Sequence, residues 1–580
     1  PNKDGLILDY RGKKLDRYEH YQMVAKCNQA LKAVEDIRGE LPAEVDSLII
    51  FGLGVGYQLE ALIESHNVGN LFICEPNSDF FYSSLFALDW ETIFTNIDKQ
   101  KGRLYLNIGD DGSNLTDDFL KQFHTFGPYL LSNTYFYEGY YNAELVHRVS
   151  QLRQQLQTLI AMSDYYDYSK YCISHTINSI DRAVPFLVED ANKKLTPSLQ
   201  EVPIFIIGNG PSVDSLIDVI RENAHKAILI SCGTALQTLH RNGITPDFHA
   251  EVEINRSTFD WACRIGDLEY LKTISLASCS SVHPDTRELY KDSYLCFKEG
   301  ESSSVVLKEL FGKHGWANLG LAYPTVANFS LDMVARWGAK QIYLLGIDLG
   351  FFDPEYHHSR NSGYYNDDGE ARFDYSQDNN TSFTLPGNFR PFVYSKFEFK
   401  VSKSILEKAI PNEADVYNLS DGARINGATP LRSEHLLVVT SAKQKNAALE
   451  TIKQRCFTYL DKLEFHEKFD ARFSHEVLLH ELNEFLQFAN QKLDSRKRAM
   501  AYIKNSTERL AEFYRNKQSL LFFLLNGTLN FINSALSKTL NIKDDEKMLG
   551  VFSEIRSYFV ETCESIKRQL EYDFKGTDFV

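Results

Sequence analysis

At 580 residues the chain is three to four domains long by the usual measure of about 150 residues each, so no single core serves it. With 43% apolar and 24% charged residues its composition is that of a globular protein, which excludes wholesale disorder. Against 78 Asp and Glu stand 62 Lys and Arg, a formal charge of −16, which makes a poor sequence-independent nucleic-acid binder because such affinity comes mostly from neutralising phosphates, and leaves only a local basic groove open.

Nine cysteines between Cys27 and Cys563 include no Cys-x-x-Cys pair, so neither a disulfide framework nor a zinc ribbon is expected, and a reducing cytoplasm is the simplest compartment. The longest apolar run, Leu520 to Leu525, is six residues, far short of the roughly 20 that a spanning helix needs. The chain opens at Pro1 without an initiator methionine, which leaves room for a leader removed ahead of this numbering.

In chain order, the first unit starts with an apolar strand, Ser47 to Phe51, followed at once by Gly52-Leu-Gly54-Val-Gly56-Tyr57. A helical stretch from Gln58 to Ser65 and a second strand, Leu71 to Cys74, ending at Glu75-Pro76, complete a βαβ unit. That period predicts a parallel sheet covered by helices, in a domain at 1–145. From Ala143 to Val188 apolar residues recur at helical spacing (Leu145, Val149, Leu152, Leu156, Leu159), and the polar stretch Asn192 to Glu201 reads as a linker, giving a connector over 146–200. A second α/β series occupies 201–435. It runs through strand Val202–Ile207, turn Gly208-Asn-Gly-Pro-Ser212, helix Val213–Asn223, strand Ala227–Ser231, helix Ser330–Trp337 and strand Gln341–Leu345. The aromatic, polar segment Gly346 to Phe383 has no periodicity, as is usual for binding loops and lids. From 436 to 580 the pattern is helical, with Leu478, Leu482, Phe485, Leu486, Ala489 and Leu493 on one face. No glycine-rich turn or catalytic cluster interrupts it, so packing or partner docking is its expected role.

Several of these turns have the makings of chemistry. Gly52-Leu-Gly54-Val-Gly56, with Glu75 ending the next strand, would let a ligand approach the backbone, the helix N-terminus and an acidic ribose acceptor. The spacing resembles the first motif of S-adenosylmethionine-dependent methyltransferases, yet a Rossmann-type domain that keeps the turn for geometry alone reads the same way. In Gly208-Asn209-Gly210-Pro211-Ser212, Pro211 opens the helix where a missing N–H costs nothing. Ser212 adds a hydroxyl, and Asn209, which a purely structural turn would not need, offers an amide for a base edge or phosphate. Ser231-Cys-Gly233-Thr234 is small and polar at the next strand end. Pro246 to Glu253 alternates, placing His249, Glu251 and Glu253 on one face, as a half-exposed strand also would. Gly346-Ile-Asp348-Leu-Gly-Phe-Phe-Asp353-Pro-Glu355-Tyr-His357-His358 sets acids and imidazoles just past a strand, where they can serve as general base, substrate contact, metal ligands or solvated loop. In an extended loop successive side chains diverge, so His358 is expected to point away from His357.

Together these residues resemble the motility-associated factor (Maf) family of bacterial flagellin glycosyltransferases. Gly208-Asn-Gly-Pro-Ser212 is similar to the Gly-x-Gly-Pro-Ser turn of that family's central domain, which in bacterial sialyltransferases of modified GT-A fold sits at the CMP-sugar. Gly346-Ile-Asp348-Leu, with His357 nine residues on, is similar to the family's Gly-x-Asp-Leu and following His. Thr325-Val-Ala-Asn328, Pro386-Gly387-Asn388 and Asn418 to Gly427 also resemble family positions. Gly350 stands where alanine is expected, and His358 leaves the base open by one residue.

The resemblance spans nearly the whole chain and implies an α/β protein. It would have an N-terminal Rossmann-like domain, a central modified GT-A (sialyltransferase-like) Rossmann-type domain and a C-terminal helical bundle. It implies a cytoplasmic transferase that moves a nonulosonic acid, pseudaminic or legionaminic in type, from a CMP-activated donor to Ser or Thr hydroxyls of flagellin, for flagellar assembly and motility. His357 and Asp348 would be catalytic. The donor would meet Gly208, Asn209, Gly210, Pro211, Ser212, Gly233, Thr234, Glu251, Glu253 and Thr325. No cofactor beyond the donor, no metal, no nucleic acid and no membrane span is expected, while a homo-oligomer is admitted. The chain also lacks an Asp-x-Asp motif, the usual metal-holding signature of metal-dependent sugar transferases. Two other readings stay open: a diphosphokinase-like transferase using ATP and magnesium, since the central domain also resembles archaeal-type hydroxymethylpterin diphosphokinases, and a non-catalytic flagellin-binding chaperone.

Overall fold

Short apolar runs punctuated by glycine turns favour parallel strands buried on both faces, and two such sheets form. The computed structural model describes residues 18–32, 34, 41–99, 102–109, 134–142, 164–312, 315–354, 356–366, 372, 383–516 and 520–572. The helical spacing from Leu145 to Leu159 and most of the segment 367–382 lie outside the described residues. The chain gathers into two compact units, one drawn from residues up to 167 and from 472 to 573, the other from 168 to 471 and 574 to 580.

In the first unit, strands β1 (Glu44–Phe51), β2 (Asn67–Glu75), β3 (Arg103–Ile108) and β4 (Thr134–Glu138) form a parallel sheet in the order β3-β2-β1-β4. Leu48 and Ile50 of β1, Leu59 and Ile63 of the helix Tyr57–Ser65, and Leu71 and Ile73 of β2 share one core. The same unit holds the long helices His475–Ala489, Arg496–Asn516, Leu521–Thr539 and Asp545–Tyr572. Leu478, Leu482, Phe485, Leu486 and Ala489 are buried along one stripe, as their spacing predicts. No described helix is long and apolar enough to cross a membrane.

In the second unit, the strands are β5 (Phe186–Glu189), β6 (Ile204–Ile207), β7 (Ile228–Cys232), β8 (Phe248–Glu251), β9 (Ser275–Cys279), β10 (Asp292–Lys298), β11 (Gly315–Trp316), β12 (Asn318–Leu319), β13 (Gln341–Leu345), β14 (Thr384–Pro386), β15 (Phe392–Tyr394), β16 (Asp415–Asn418), β17 (Thr429–Pro430) and β18 (Phe457–Thr458). The main sheet runs β11-β5-β10-β9-β8-β7-β6-β13-β16-β17, parallel except where β11 and β18 meet β5. The chain steps outward from β6 to β10, then returns to β13 on the other side of β6. Helix Val326–Trp337 packs across the sheet, with Phe329, Leu331, Met333, Val334 and Trp337 in its core.

Two sequence expectations change here. The helix read as far as Val188 ends at Asp181, because Ala183 takes a positive φ of 51° and Pro185 follows, and residues 186–189 become a strand. The stretch 192–201 is packed rather than a free linker: Leu195 is buried and its amide donates to the Trp337 carbonyl at 2.9 Å.

Candidate active site at the switch point of the central sheet

Open parallel sheets form their ligand crevice outside the carboxyl ends of the strands, where strand order reverses. That point lies between β6 and β13, and both strands run directly into glycine. The Gly208 amide donates to the Leu345 carbonyl and the Gly210 amide to the Gly346 carbonyl, each at 2.8 Å. At these glycines the two segments meet through main chain. A Cβ on Gly346, whose φ is +65°, would lie 2.6 Å from the Gly208 oxygen, and one on Gly208 would lie 2.5 Å from the Gly346 oxygen.

Asp348 sits in the cup this seam creates. A Cβ on Gly210 or on Gly422 would overlap it. Its Oδ2 accepts from the Ser212 hydroxyl at 2.9 Å and the Ser212 amide at 3.2 Å. Burial pushes its carboxyl up to about 7, against the pull of those bonds. The Ala423 amide donates to the Asp348 carbonyl (2.7 Å) and the Ile347 amide to Ser420 Oγ (2.9 Å). Asn388 Nδ2 in turn donates to the carbonyls of Asn418 and Ser420. Leu349, a non-glycine residue at φ +48°, is held by the Ser395 hydroxyl donating to its carbonyl at 2.8 Å. Left-handed backbone at such a residue is uncommon and clusters at functional sites.

Asn209 is a hub of this turn. Its Nδ2 donates to Thr234 Oγ1 and its Oδ1 accepts from Thr238 Oγ1, both at 2.9 Å, while its carbonyl accepts from the Ser359 amide at 2.9 Å. Asp214 accepts from the Ser359 hydroxyl at 2.5 Å and the Arg360 amide at 2.9 Å. These bonds bind the imidazole loop to the glycine turn and bring His357, two residues before Ser359, to the switch point. His357 is buried.

The two imidazoles do not diverge. Residues 359–365 turn through bonds from Ser362 N to the Ser359 carbonyl and from Tyr365 N to the Ser362 carbonyl, so the loop is not extended. The His357 and His358 rings stand 4.4 Å apart, and His358 stacks on Tyr364 at 4.1 Å and 12°. Tyr364 reaches Trp261 at 5.4 Å. Desolvation first, then His357 and Lys396, push the His358 imidazole down to about 3, and its ring bonds the Asn209 main chain.

The other expected residues line the same carboxyl edge. Gly233 takes φ +51°, and the place its Cβ would occupy is 3.5 Å from Val326, at the start of the helix that Thr325 caps. Asn328 Oδ1 accepts from the Thr325 hydroxyl (2.7 Å) and from Ser402 (2.6 Å). His249 and Glu251 share a face, as the alternation predicts. Ser231 Oγ and His249 Nδ1 are 2.9 Å apart, and His249 Nε2 lies 3.2 Å from Glu251 Oε1, all three residues being buried. Glu253 falls past the end of β8 and is exposed. Sequence reasoning missed Thr238, Asp214 and Ser359. Thr238 sits one helical turn after Thr234, a spacing that sets it beside the motif, whereas no spacing rule links Asp214, two residues after Ser212, to Ser359. Among the described residues, no group of three or more His, Cys, Asp or Glu is placed to hold a metal ion.

The N-terminal glycine turn is built differently. Its switch point lies between β1 and β4, and Tyr140, just past β4, fills it: a Cβ on Gly52 would be 2.7 Å from the Tyr140 ring. Glu75 is fully buried and accepts from Gly54 N (2.9 Å), Asn77 N (2.8 Å) and the Tyr140 hydroxyl (2.6 Å). Desolvation, then Glu75, hold that hydroxyl above the usual tyrosine range. Glu75 is thus spent within the fold, which favours the reading of this turn as geometry alone over the one in which it meets a ribose.

Comparison with known proteins bears on this architecture. Residues 1–161 match the family model of the glycosyltransferase Maf N-terminal domain, and residues 176–354 that of the 6-hydroxymethylpterin diphosphokinase MptE-like family. A search of curated proteins finds no match. Among solved structures, the Maf glycosyltransferase from Magnetospirillum magneticum AMB-1 superposes with a TM-score of 0.74 at 22% identity, over 97% of this chain and 84% of that one. At that identity the likeness is one of fold. The resemblance to the Maf family is thereby shown, on its N-terminal domain and on a fold covering nearly the whole chain.

Proposed function

From a chain with a Maf N-terminal domain and the fold of a Maf glycosyltransferase, we propose a cytoplasmic enzyme that transfers a nonulosonic acid from its CMP-activated donor to Ser or Thr hydroxyls of flagellin, in support of flagellar assembly and motility. The observation that carries this reading is the tie between the Gly208–Ser212 turn and the loop bearing His357, made through Ser359 N and the Asn209 carbonyl at 2.9 Å. That tie joins a glycine turn suited to a phosphate or ribose to the loop that carries the imidazole, at a topological switch point, which supports the reading. The acceptor oxygen attacks the anomeric carbon, the bond from that carbon to the phosphate breaks, CMP leaves, and the hydroxyl proton passes to His357. His358, lowered to about 3, is too weak a base for this at neutral pH, which supports His357 in the role. Asp348 fixes Ser212 and thereby the turn.

The match of residues 176–354 to a diphosphokinase family favours a second reading, transfer of diphosphate from ATP with magnesium. The described residues bring together no cluster of three acids or imidazoles for that ion, so no step is derived through it. Donor titration with mass spectrometry of flagellin tests both. CMP binding, together with loss of the nonulosonate mass from flagellin in a strain lacking this protein, is expected. Binding of ATP only with magnesium, and no CMP binding, overturns the first reading in favour of the second. Binding of flagellin with neither nucleotide leaves a chaperone.

A further inference from the structure

The plugged crevice of the N-terminal sheet has an unusual rim. Tyr57 and Tyr141, beside the filled switch point, are 68% and 84% exposed. The helix Ser78–Ala87, which leaves β2 at the same edge, buries only Ser84. Its Tyr82 and Phe86 are 61% and 77% exposed, one turn apart, with rings 5.2 Å from each other. Phe80 of this helix packs edge-on against Tyr140 at 5.5 Å, so rim and plug are continuous. A monomer rarely leaves such an aromatic patch bare unless something docks there.

Charge says what. From Leu41 to Asp98 the chain carries nine Asp and Glu and no Lys or Arg. Asp79, Asp89 and Glu91 are exposed on or next to the aromatic helix. A second copy presenting the same patch would set acids against acids. An anionic lipid surface would be repelled. A small anionic ligand meets no cation from this stretch and finds the crevice occupied by Tyr140.

We propose that this rim is a protein-docking surface for a basic amphipathic segment of a partner polypeptide, with apolar side chains against Tyr57, Tyr82 and Phe86 and flanking Lys or Arg facing Asp79 and Glu91. The docking stands apart from the transferase reading, because no residue of the candidate active site takes part.

The test uses the full chain and two short labelled amphipathic peptides, one of Leu and Lys, the other of Leu and Glu, read by fluorescence anisotropy. The Leu–Lys peptide is expected to bind, with affinity that falls as salt is added. It should bind about tenfold or more weakly to Tyr82→Ser/Phe86→Ser. An unchanged thermal midpoint in that variant keeps the comparison fair, since both side chains are exposed. No binding of the Leu–Lys peptide, equal binding of the Leu–Glu peptide, or full affinity in the double variant overturns the proposal. So does a dimer in sedimentation that the double variant dissolves, which assigns the rim to a second copy, or binding of phosphatidylglycerol vesicles that the variant abolishes.

Discussion

Asp348→Asn is expected to stabilise the protein at alkaline pH. The carboxyl lies in a cup with no room beside it, and burial raises it from 3.8 to about 7, which corresponds to about 4 kcal/mol of preference for the neutral form. Because the folded carboxyl holds its proton to higher pH than the unfolded one, folding is favoured by this group in acid. That contribution is lost as pH rises from about 4 to about 7. Asparagine stays neutral throughout. Its Oδ1 can take the Ser212 bonds at 2.9 and 3.2 Å, with about 1 kcal/mol lost for the poorer acceptor. The variant should therefore be close to wild type at pH 4 and about 3 kcal/mol more stable at pH 8. Denaturant unfolding followed by tryptophan fluorescence across that range reads the difference, since Trp261, Trp316 and Trp337 all report on the unit that holds Asp348. A gap that does not change with pH, or one that favours aspartate at pH 8, refutes the burial argument.

Asn209→Ala removes the bonds to Thr234 and Thr238, so both the thermal midpoint and CMP affinity in calorimetry should drop, the latter by about 1–3 kcal/mol; a normal CMP affinity would remove Asn209 from the donor site. His357→Ala should abolish transfer with CMP binding retained. His358→Phe, which keeps a ring against Tyr364, should stay within about tenfold of wild type, a barrier change of about 1.4 kcal/mol, and equal loss in both would mean that neither is singled out as base. Gly54→Ala, at φ +59° with 3.9 Å to Tyr140, should cost about 1–2 kcal/mol of backbone strain, and Gly52→Ala more, because its Cβ would displace the Tyr140 ring. Turnover per folded molecule should hold in both, and transfer lost in Gly54→Ala at an unchanged melting point would mean that the turn binds a ligand after all.

The α/β class was legible because strand, glycine turn and helix recur with little ambiguity, and the helical stripe from Leu478 to Ala489 is buried as its period requires. Pairings across long sequence separations were not legible. Ser212 and Asp348 each stand in a recognisable motif, but nothing local says that one hydroxyl serves the other across 136 residues. The Tyr140 plug is similarly silent: it meets Glu75 from 65 residues away, and no spacing rule links a tyrosine after one strand to a glutamate ending another. The imidazole pair was misjudged for a different reason. Divergence of neighbours holds in extended chain, and main-chain bonds from Ser359 to Tyr365 curl this segment instead.

The seam at Gly208 and Gly346 joins two stretches of backbone with no side chain between them, so nothing in that floor must choose a rotamer when a donor arrives. On the proposed function, a nucleotide landing there would meet a surface already in its final form, and association should therefore forfeit little configurational freedom on the protein side. Donor affinity should then respond weakly to osmolytes, which act on ordering transitions, and strongly to the removal of single polar atoms from the ligand.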